Sequence, residues 1–277
     1  HSLKATHLAN RIELDTGVRI AIKDILTNAT PEKLVKLLEC SKGEEYEPIL
    51  KAEVKEYYPM SEVQKRLFIL AQMDEMSVSY NVPYCFRLCN GMPDEERLNG
   101  ALQKLAERHE SLRTGLCAVD GEFRQIVYPH VDFQLIVKTL EKGEIKDEFE
   151  NFIRPFDLEL PPLFRAELVK NTASEGWLLL DFHHSIVDGY SIKQLLKELG
   201  DLYDGKYISE PALQYKDYSE WLTKRDISSQ GIFWKKTFET MLEDKELPTD
   251  IRRSDSTERN ASVVKRKMDW LDSKQVD

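Results

Sequence analysis

Two adjacent histidines close a largely apolar run, Trp177-Leu178-Leu179-Leu180-Asp181-Phe182-His183-His184-Ser185-Ile186-Val187-Asp188-Gly189. Imidazole is the side chain best suited to move a proton near neutral pH. The apolar run predicts a strand buried on both faces. In extended backbone, successive side chains point to opposite faces, so one histidine can be anchored in the protein while the other faces a cavity. Gly189 is expected to permit an unusual backbone turn. Ser191 and Gln194 then form a capping-box pattern, and Ile192, Leu195, Leu196 and Leu199 continue a helix. The pair therefore sits at a strand end before a helix, where a substrate could reach it. Taken alone, two adjacent histidines are better explained by local hydrogen bonds. With Asp188 they make an incomplete metal set, and no further ligand accompanies them, so no metal is expected.

A second residue with chemical potential is Ser2. A serine at a helix start suits a phosphodiester, because the helix N-terminus favours negative charge. By itself it reads better as an ordinary N-cap. The cysteines are Cys40, Cys85, Cys89 and Cys117, too few for a disulfide framework. Cys85 and Cys89 fall on one side of a strand-like run with no second ligand pair, which points to packed thiols rather than a zinc site. The sequence has no glycine-rich phosphate loop and no internal repeat.

The elements that must position these residues follow from patterning. Leu3, Leu8 and Ile12 share an approximate helical face, and Thr30-Pro31 starts a helix buried through Leu34, Leu37 and Leu38. Three short helices cannot bury a large core, so residues 1–40 are a small domain or part of one. Lys42-Gly43-Glu44-Glu45 and Pro48 mark 41–57 as an exposed linker. From Tyr58 onward, Ser61 and Gln64 form a capping box ahead of Val63, Leu67 and Leu70. Pro83 to Leu88 reads as a strand, and Asp94 caps a helix buried through Leu98, Ala101, Leu102 and Leu105. Asp120-Gly121 is a two-residue hairpin signal between Leu116–Val119 and Phe123–Val127. A helix is expected over Glu144–Ile153, and strands over Phe164–Val169 and Trp177–Phe182. The pattern is a mixed α/β sandwich.

Bulk properties narrow the function classes. The 277-residue chain carries a formal net charge of −10, 41% hydrophobic and 32% charged residues. That balance supports a solvated globular protein and excludes a nonspecific nucleic-acid binder, which needs clustered positive charge. No apolar run approaches the ~20 residues of a membrane span. His1-Ser2-Leu3-Lys4 lacks a signal-peptide core, so a cytoplasmic location is expected, with no membrane partner.

His-His-x-x-x-Asp-Gly over 183–189 resembles the active-site signature of the condensation domains of nonribosomal peptide synthetases and their acyltransferase relatives. Other segments resemble the family in the expected order. Ser61-Glu62-Val63-Gln64-Lys65-Arg66-Leu67 is similar to its first core motif, with Val63 where alanine is commoner. Arg108-His109-Glu110-Ser111-Leu112-Arg113-Thr114 resembles the second. Pro155-Phe156-Asp157-Leu158, with Pro162-Leu163-Phe164-Arg165, matches another common segment. Tyr215 to Trp221 resembles the fourth core motif, and Leu247-Pro248-Thr249-Asp250 also looks like family sequence. His1-Ser2-Leu3 resembles the end of the carrier motif Gly-Gly-His-Ser-Leu, and Val18 to Leu38 resembles later carrier helices.

The resemblance implies a chloramphenicol-acetyltransferase-like α+β sandwich lobe preceded by a partial helical carrier domain. It places the partial carrier at 1–40, a linker at 41–57, the N-terminal condensation lobe at 58–240 and the crossover into a second lobe at 241–277. The implied activity is amide formation between carrier-bound thioesters, an internal elongation step with an L-configured donor. His184 becomes the catalytic residue, as general base or as a group that positions the amine and stabilises charge. His183 becomes structural support. Asp188 is expected to pair with Arg66 and brace the histidine loop beside Gly189, and Arg108, His109 and Arg113 to be scaffold. Ser2 becomes the attachment point of 4′-phosphopantetheine, installed by a phosphopantetheinyl transferase. Upstream and downstream carriers and adenylation domains are the implied partners. An epimerization domain and an inactive scaffold are the alternatives; Ile192 after Ser191, where epimerization domains carry tryptophan, speaks against the former. The chain carries the family motifs of one lobe, and the expectation is that it has no useful condensation activity by itself.

Overall fold

The computed structural model describes residues 2–40, 48–74, 76–88, 91–140, 144–172 and 175–240, apart from the side chains of residues 2, 3 and 40. The expectations placed on Cys89, Lys42–Glu45, Leu247–Asp250 and the 241–277 crossover lie outside the described residues. The chain divides into two compact units, His1–Arg225 and Asp226–Asp277. In the second, one helix is described, α9 (Ser228–Thr237), whose Trp234 stacks on Phe238 just past its end.

The first unit opens with α1 (Ser2–Thr16), α2 (Ile22–Thr27) and α3 (Pro31–Cys40). They share a small core of Ala5, Ala9, Ile20 and Ile25, packed by Ile12, Leu34, Leu37 and Leu38. The expected α1 face is thus rotated: Leu8 is exposed, and the small residues Ala5 and Ala9 take the buried stripe. Residues of the expected linker are exposed but anchored. The Ala52 amide donates to Asp217 and Lys55 pairs with Glu220, both on α8 (Tyr215–Lys224).

The remaining elements form two sheets with helices against them. One sheet orders β1 (Tyr58–Pro59), β4 (Glu122–Val127) and β3 (Thr114–Val119). Its β3–β4 hairpin turns at Asp120 and Gly121, both at positive φ, 51° and 79°, as a tight primed turn demands. The second sheet orders β2 (Asn81–Leu88), β7 (Gly176–His183), β6 (Phe164–Lys170) and β5 (Ile136–Thr139). β7 lies centrally, antiparallel to β2 and β6, and is buried along almost its whole length.

Alternation along β7 and β6 splits the core. Leu178, Leu180 and Phe182, with Phe164, Ala166 and Leu168, join a large cluster with α5 (Glu95–Arg108) and α7 (Gly189–Tyr203). Leu179 and Val169 face the other way, against Phe152 of α6 (Ile145–Phe152). The odd-numbered positions Asp181 and His183 follow Leu179 to that second face. Ahead of the sheet, α4 (Glu62–Met73) starts at Ser61, whose hydroxyl accepts from the Gln64 amide while Gln64 accepts from the Ser61 amide. Asp94 caps α5 by accepting from the Arg97 amide. Cys85 on β2 is exposed rather than packed, and it and Cys117 are free thiols. Among the described residues no helix is long and apolar enough to cross a membrane.

Candidate active site

At the end of β7 the backbone is pinned on both sides. The His183 amide donates to the Leu163 carbonyl at 2.9 Å, and the His184 amide donates to the Tyr80 carbonyl at 2.8 Å. The chain then turns, and the two imidazoles meet different surroundings. His183 is 5% exposed. Its Nδ1 accepts from the Ser185 amide at 3.2 Å and lies 2.8 Å from the Ser185 hydroxyl. An acceptor at Nδ1 leaves the proton of the neutral ring on Nε2. Burial, with His184 next to it, pushes the His183 pKa down to about 4. His184 is exposed, and among the described residues no hydrogen bond or ion pair engages its ring.

Asp188 does not form the expected brace. No ion pair within 4.0 Å joins it to Arg66, and both side chains are exposed. Asp188 instead caps α7: its carboxylate accepts from the Ser191 amide at 2.8 Å and the Tyr190 amide at 3.1 Å. The Asp188 amide donates back to the Ser191 hydroxyl at 2.7 Å. The Ser191 amide above all, with the Ser191 hydroxyl and the Tyr190 amide, holds this carboxyl below its ordinary range. The capping box thus begins three residues before the expected one, and Gln194 donates to Glu198. Gly189 is the first residue of α7, has no positive φ, and has open space where a Cβ would stand. The expected unusual turn is absent there.

The buried ion pair of the site lies elsewhere. Asp181 is 0% exposed, and its Oδ2 accepts from Asn81 Nδ2 at 2.7 Å and lies 3.7 Å from Arg165 Nε. Arg165 donates to the carbonyls of Arg154 and Pro155, and its guanidinium lies 3.7 Å over the Phe156 ring. Burial raises the Asp181 carboxyl to about 6, against the pull of Asn81 and Arg165. Sequence reasoning gave Asp181 and Arg165 no role. The available signal was a carboxylate inside an apolar strand, two residues before a histidine and so on the same face.

Phe156 and His183 line a cavity of about 450 Å³ between the end of α4 and the segment 155–159. On the far face of the lobe, Arg108 and His109 both reach Glu198 Oε2, at 2.8 and 2.6 Å, and Arg113 donates to the Tyr128 carbonyl. Arg108 and His109 thus join the end of α5 to α7, and Arg113 holds the residue that follows β4. Ser2 opens α1, a 15-residue helix with no acidic residue in its first turn. Among the described residues no group of three or more His, Cys, Asp or Glu side chains could hold a metal ion.

Sequence and fold comparisons identify the family and the fold. The condensation-domain family profile matches residues 54–275, and the chain belongs to that family. It is 38% identical over 257 residues to bacitracin synthase 3 of Bacillus licheniformis, covering 91% of this chain and 4% of that one. It is 37% identical, over the same shares, to tyrocidine synthase 3 of Brevibacillus parabrevis. The chain therefore spans a small part of these curated relatives. Among solved structures, the X-domain from teicoplanin biosynthesis matches with a TM-score of 0.67 at 23% identity, over 75% of this chain and 49% of that one. The starter condensation domain of rhizomide synthetase matches with a TM-score of 0.59 at 19% identity, over 68% of this chain and 49% of that one. Both show the same mixed α/β fold.

Proposed function

We propose that this chain is the part of a nonribosomal peptide synthetase that forms an amide bond between two carrier-bound acyl thioesters, with His184 as the catalytic residue. The observation that carries the reading is the unequal fate of the two histidines. His183 is buried and held through Nδ1, whereas the ring of His184 stands exposed at the end of a pinned strand. The acceptor amine attacks the donor thioester carbonyl. A C–N bond forms, the C–S bond breaks, and the surplus amine proton ends on the released thiol. His184 either carries that proton as general base or holds the amine and stabilises the tetrahedral intermediate.

Residues 1–40 are read as part of the upstream carrier, 41–57 as its linker, 58–240 as the N-terminal lobe and 241–277 as the crossover to the second. Ser2 is the proposed attachment point of 4′-phosphopantetheine, which supplies a thiol-ended arm that presents the acyl group. The start of a helix without acidic residues in its first turn suits its phosphodiester. A phosphopantetheinyl transferase, adenylation domains and a downstream carrier are the partners this reading requires, in the cytoplasm. The Ser61-x-x-Gln64-Lys65-Arg66 form supports an L-configured donor in an internal elongation step. Because solved relatives run to about twice the matched length, turnover is expected from the complete domain and not from this chain alone.

The test is a loaded-substrate assay in the complete module. His184→Ala is expected to lower dipeptide formation by roughly 10²–10⁴ with an unchanged denaturant midpoint. Full dipeptide yield from that variant overturns the assignment. A product altered only in stereochemistry identifies an epimerase, and no product from the wild type identifies a scaffold. Loss of a general base and loss of an electrostatic stabiliser cost similar factors, so a pH–rate profile separates the two roles. Intact-mass measurement after treatment with transferase and coenzyme A tests Ser2, with Ser2→Ala expected to stay unmodified.

A further inference from the structure

We propose that Asn81 and Asp181 form an acid–amide clamp that positions His184, closed by a proton that Asp181 Oδ1 donates to Asn81 Oδ1. The importance of His184 rests on the amide-forming reading; the clamp rests on the two side chains themselves.

Each partner of one hydrogen bond strands its other oxygen. Asn81 Nδ2 donates to Asp181 Oδ2 at 2.7 Å and to the Arg154 carbonyl at 2.9 Å. A carbonyl only accepts, so the bond to Arg154 fixes which end of the Asn81 amide carries the nitrogen. The remaining oxygens, Asn81 Oδ1 and Asp181 Oδ1, are both buried without a hydrogen-bond partner among the described residues. A carboxylate offers only acceptors and leaves the two stranded. A carboxylic acid supplies the one missing donor: its O–H meets the amide oxygen while the amide N–H meets the acid's other oxygen.

The charges around Asp181 leave room for that proton. Arg165 on β6 comes within 3.7 Å through Nε, beyond hydrogen-bond reach, and its Nη2 donates to the Arg154 and Pro155 carbonyls instead. Burial outweighs the pull of Asn81, Arg165, the Phe182 amide and Arg154, and holds the Asp181 carboxyl at about 6. Glu167 on β6 lies 3.0 Å from Lys138. His183, on the same face of β7 as Asp181, is neutral above about 4. The clamp therefore gains its proton as the pH falls through about 6, and Asp181 is the member that changes.

The clamp sits where His184 is pinned. Asn81 pairs with His183 across β2 and β7. The carbonyl just before it, that of Tyr80, accepts from the His184 amide at 2.8 Å. Asn81 thus ties the start of β2 to β7 through Asp181 and to the cavity wall through Arg154. Asn81 and Asp181 act through His184 and touch no reacting atom, so both are positioning residues.

The 277-residue chain is compared with Asp181→Asn, Asp181→Leu and Asn81→Leu. The amide in Asp181→Asn has a permanent N–H donor, so this variant should be at least as stable as wild type at pH 8. A carboxyl raised in the folded state is penalised above its folded value and relieved as pH falls through it. Wild type should therefore gain on Asp181→Asn between pH 8 and pH 5, read by urea midpoints. Asp181→Leu, which makes neither bond, should lie below Asp181→Asn at both values. Hydrogen exchange with ¹⁵N-labelled histidine reads the positioning. At pH 7 the His184 amide should exchange roughly 5–10-fold faster in Asn81→Leu than in wild type, and near the wild-type rate in Asp181→Asn. The His183 amide, held by the Leu163 carbonyl on the other side of β7, should keep its rate. An Asp181→Asn variant less stable than wild type at pH 8 overturns the clamp in favour of the charge pair with Arg165. A stability gap that does not change with pH overturns it too, because the oxygens are then satisfied without a proton, as by a buried water. Equal acceleration of both amides, or of neither, removes the positioning role. If Asn81→Leu does not fold, Asp181→Leu supplies the exchange comparison. Turnover is not read, so these outcomes are independent of whether His184 supports amide synthesis.

Discussion

Arg165 and Asp181 face each other across directly paired positions of β6 and β7, with Nε 3.7 Å from Oδ2. One end of the pair lies two residues before His183. The other end donates to the Arg154 and Pro155 carbonyls and covers Phe156. The pair therefore ties the histidine strand to the wall of the neighbouring cavity, the bracing that the family resemblance assigned to Asp188 and Arg66.

Removing Arg165 should expose the cost of the buried carboxylate. Breaking one member of a buried pair costs roughly 3–5 kcal/mol, because the remaining charge is stranded. In the wild type the Asp181 carboxyl already sits at about 6, above its ordinary range. A raised carboxyl pKa means that the folded state binds the proton more tightly, so the ionisation penalty is present above the folded pKa and relieved as pH falls through it. Arg165→Ala removes a group that favours the charged form, which moves that pKa higher still. The variant should be most destabilised near pH 8 and less so near pH 5. Urea midpoints of both proteins at the two pH values check this; a gap that does not narrow on acidification contradicts the pairing.

Asp188 and Arg66 should behave as independent residues. Asp188→Ala removes an N-cap that accepts from the Ser191 and Tyr190 amides, worth about 1 kcal/mol. Asp188→Asn or Asp188→Ser should recover most of that loss, since either can cap. Arg66→Ala, at an exposed position of α4, should stay within about 0.5 kcal/mol of wild type. A double-mutant cycle read by thermal or urea unfolding is the check, and a coupling above about 1 kcal/mol would restore the expected salt bridge.

Much of the scaffold was legible because local chemistry dictates it. The β3–β4 turn needs two residues at positive φ, which Asp120-Gly121 accept, and the largely apolar run before His183 fits a central strand. Patterns with two equally good local solutions were not legible. Ser191 can cap a helix or serve as the third residue of one capped by Asp188, and the turn through Ser185 decides between them. In α1 the larger Leu8 lost to Ala5 and Ala9, small residues on the face that packs on Ile20 and Ile25. β5 is exposed throughout and lacks alternation, so in Ile136–Thr139 only the β-branched residues hint at a strand. The Arg165–Asp181 pair depends on the β6–β7 register, which the sequence of neither strand specifies alone.

Glu198 should be the acid-sensitive joint of the lobe. Burial alone would raise its carboxyl, but hydrogen bonds from Gln194, His109 and Arg108 outweigh that and hold it at about 2. A depressed carboxyl stabilises the fold above its unfolded value and loses that contribution as pH falls through the folded one. From an ordinary value of 4.5, the linkage is ~3 kcal/mol at neutral pH. Glu198→Gln should be less stable than wild type by up to that amount at pH 7, and the gap should shrink between pH 4.5 and 2. Chemical denaturation across that range tests it, and a constant gap would show that ionisation of Glu198 does not contribute.

Two glycines should respond oppositely to alanine. At Gly115 on β3, a Cβ would stand 2.8 Å from the Glu159 carbonyl oxygen and 3.2 Å from the Pro161 ring. The φ there is not positive, so the constraint is space, not conformation. The close approach is fixed by the Leu116 amide, which donates to the Leu158 carbonyl at 2.7 Å. Backbone cannot swing aside as a side-chain tip can, so Gly115→Ala should cost about 1–3 kcal/mol, the usual range for overpacking. It should also displace the 158–159 segment, which lines the cavity beside His183. At Gly100, inside α5, nothing stands within 4 Å of a Cβ. Gly100→Ala should therefore stabilise by about 0.5–1 kcal/mol through helix propensity alone. Urea unfolding of the two variants side by side gives the answer: a tolerated Gly115→Ala would mean that the 158–161 segment yields freely, and the cavity wall could not then be held from β3.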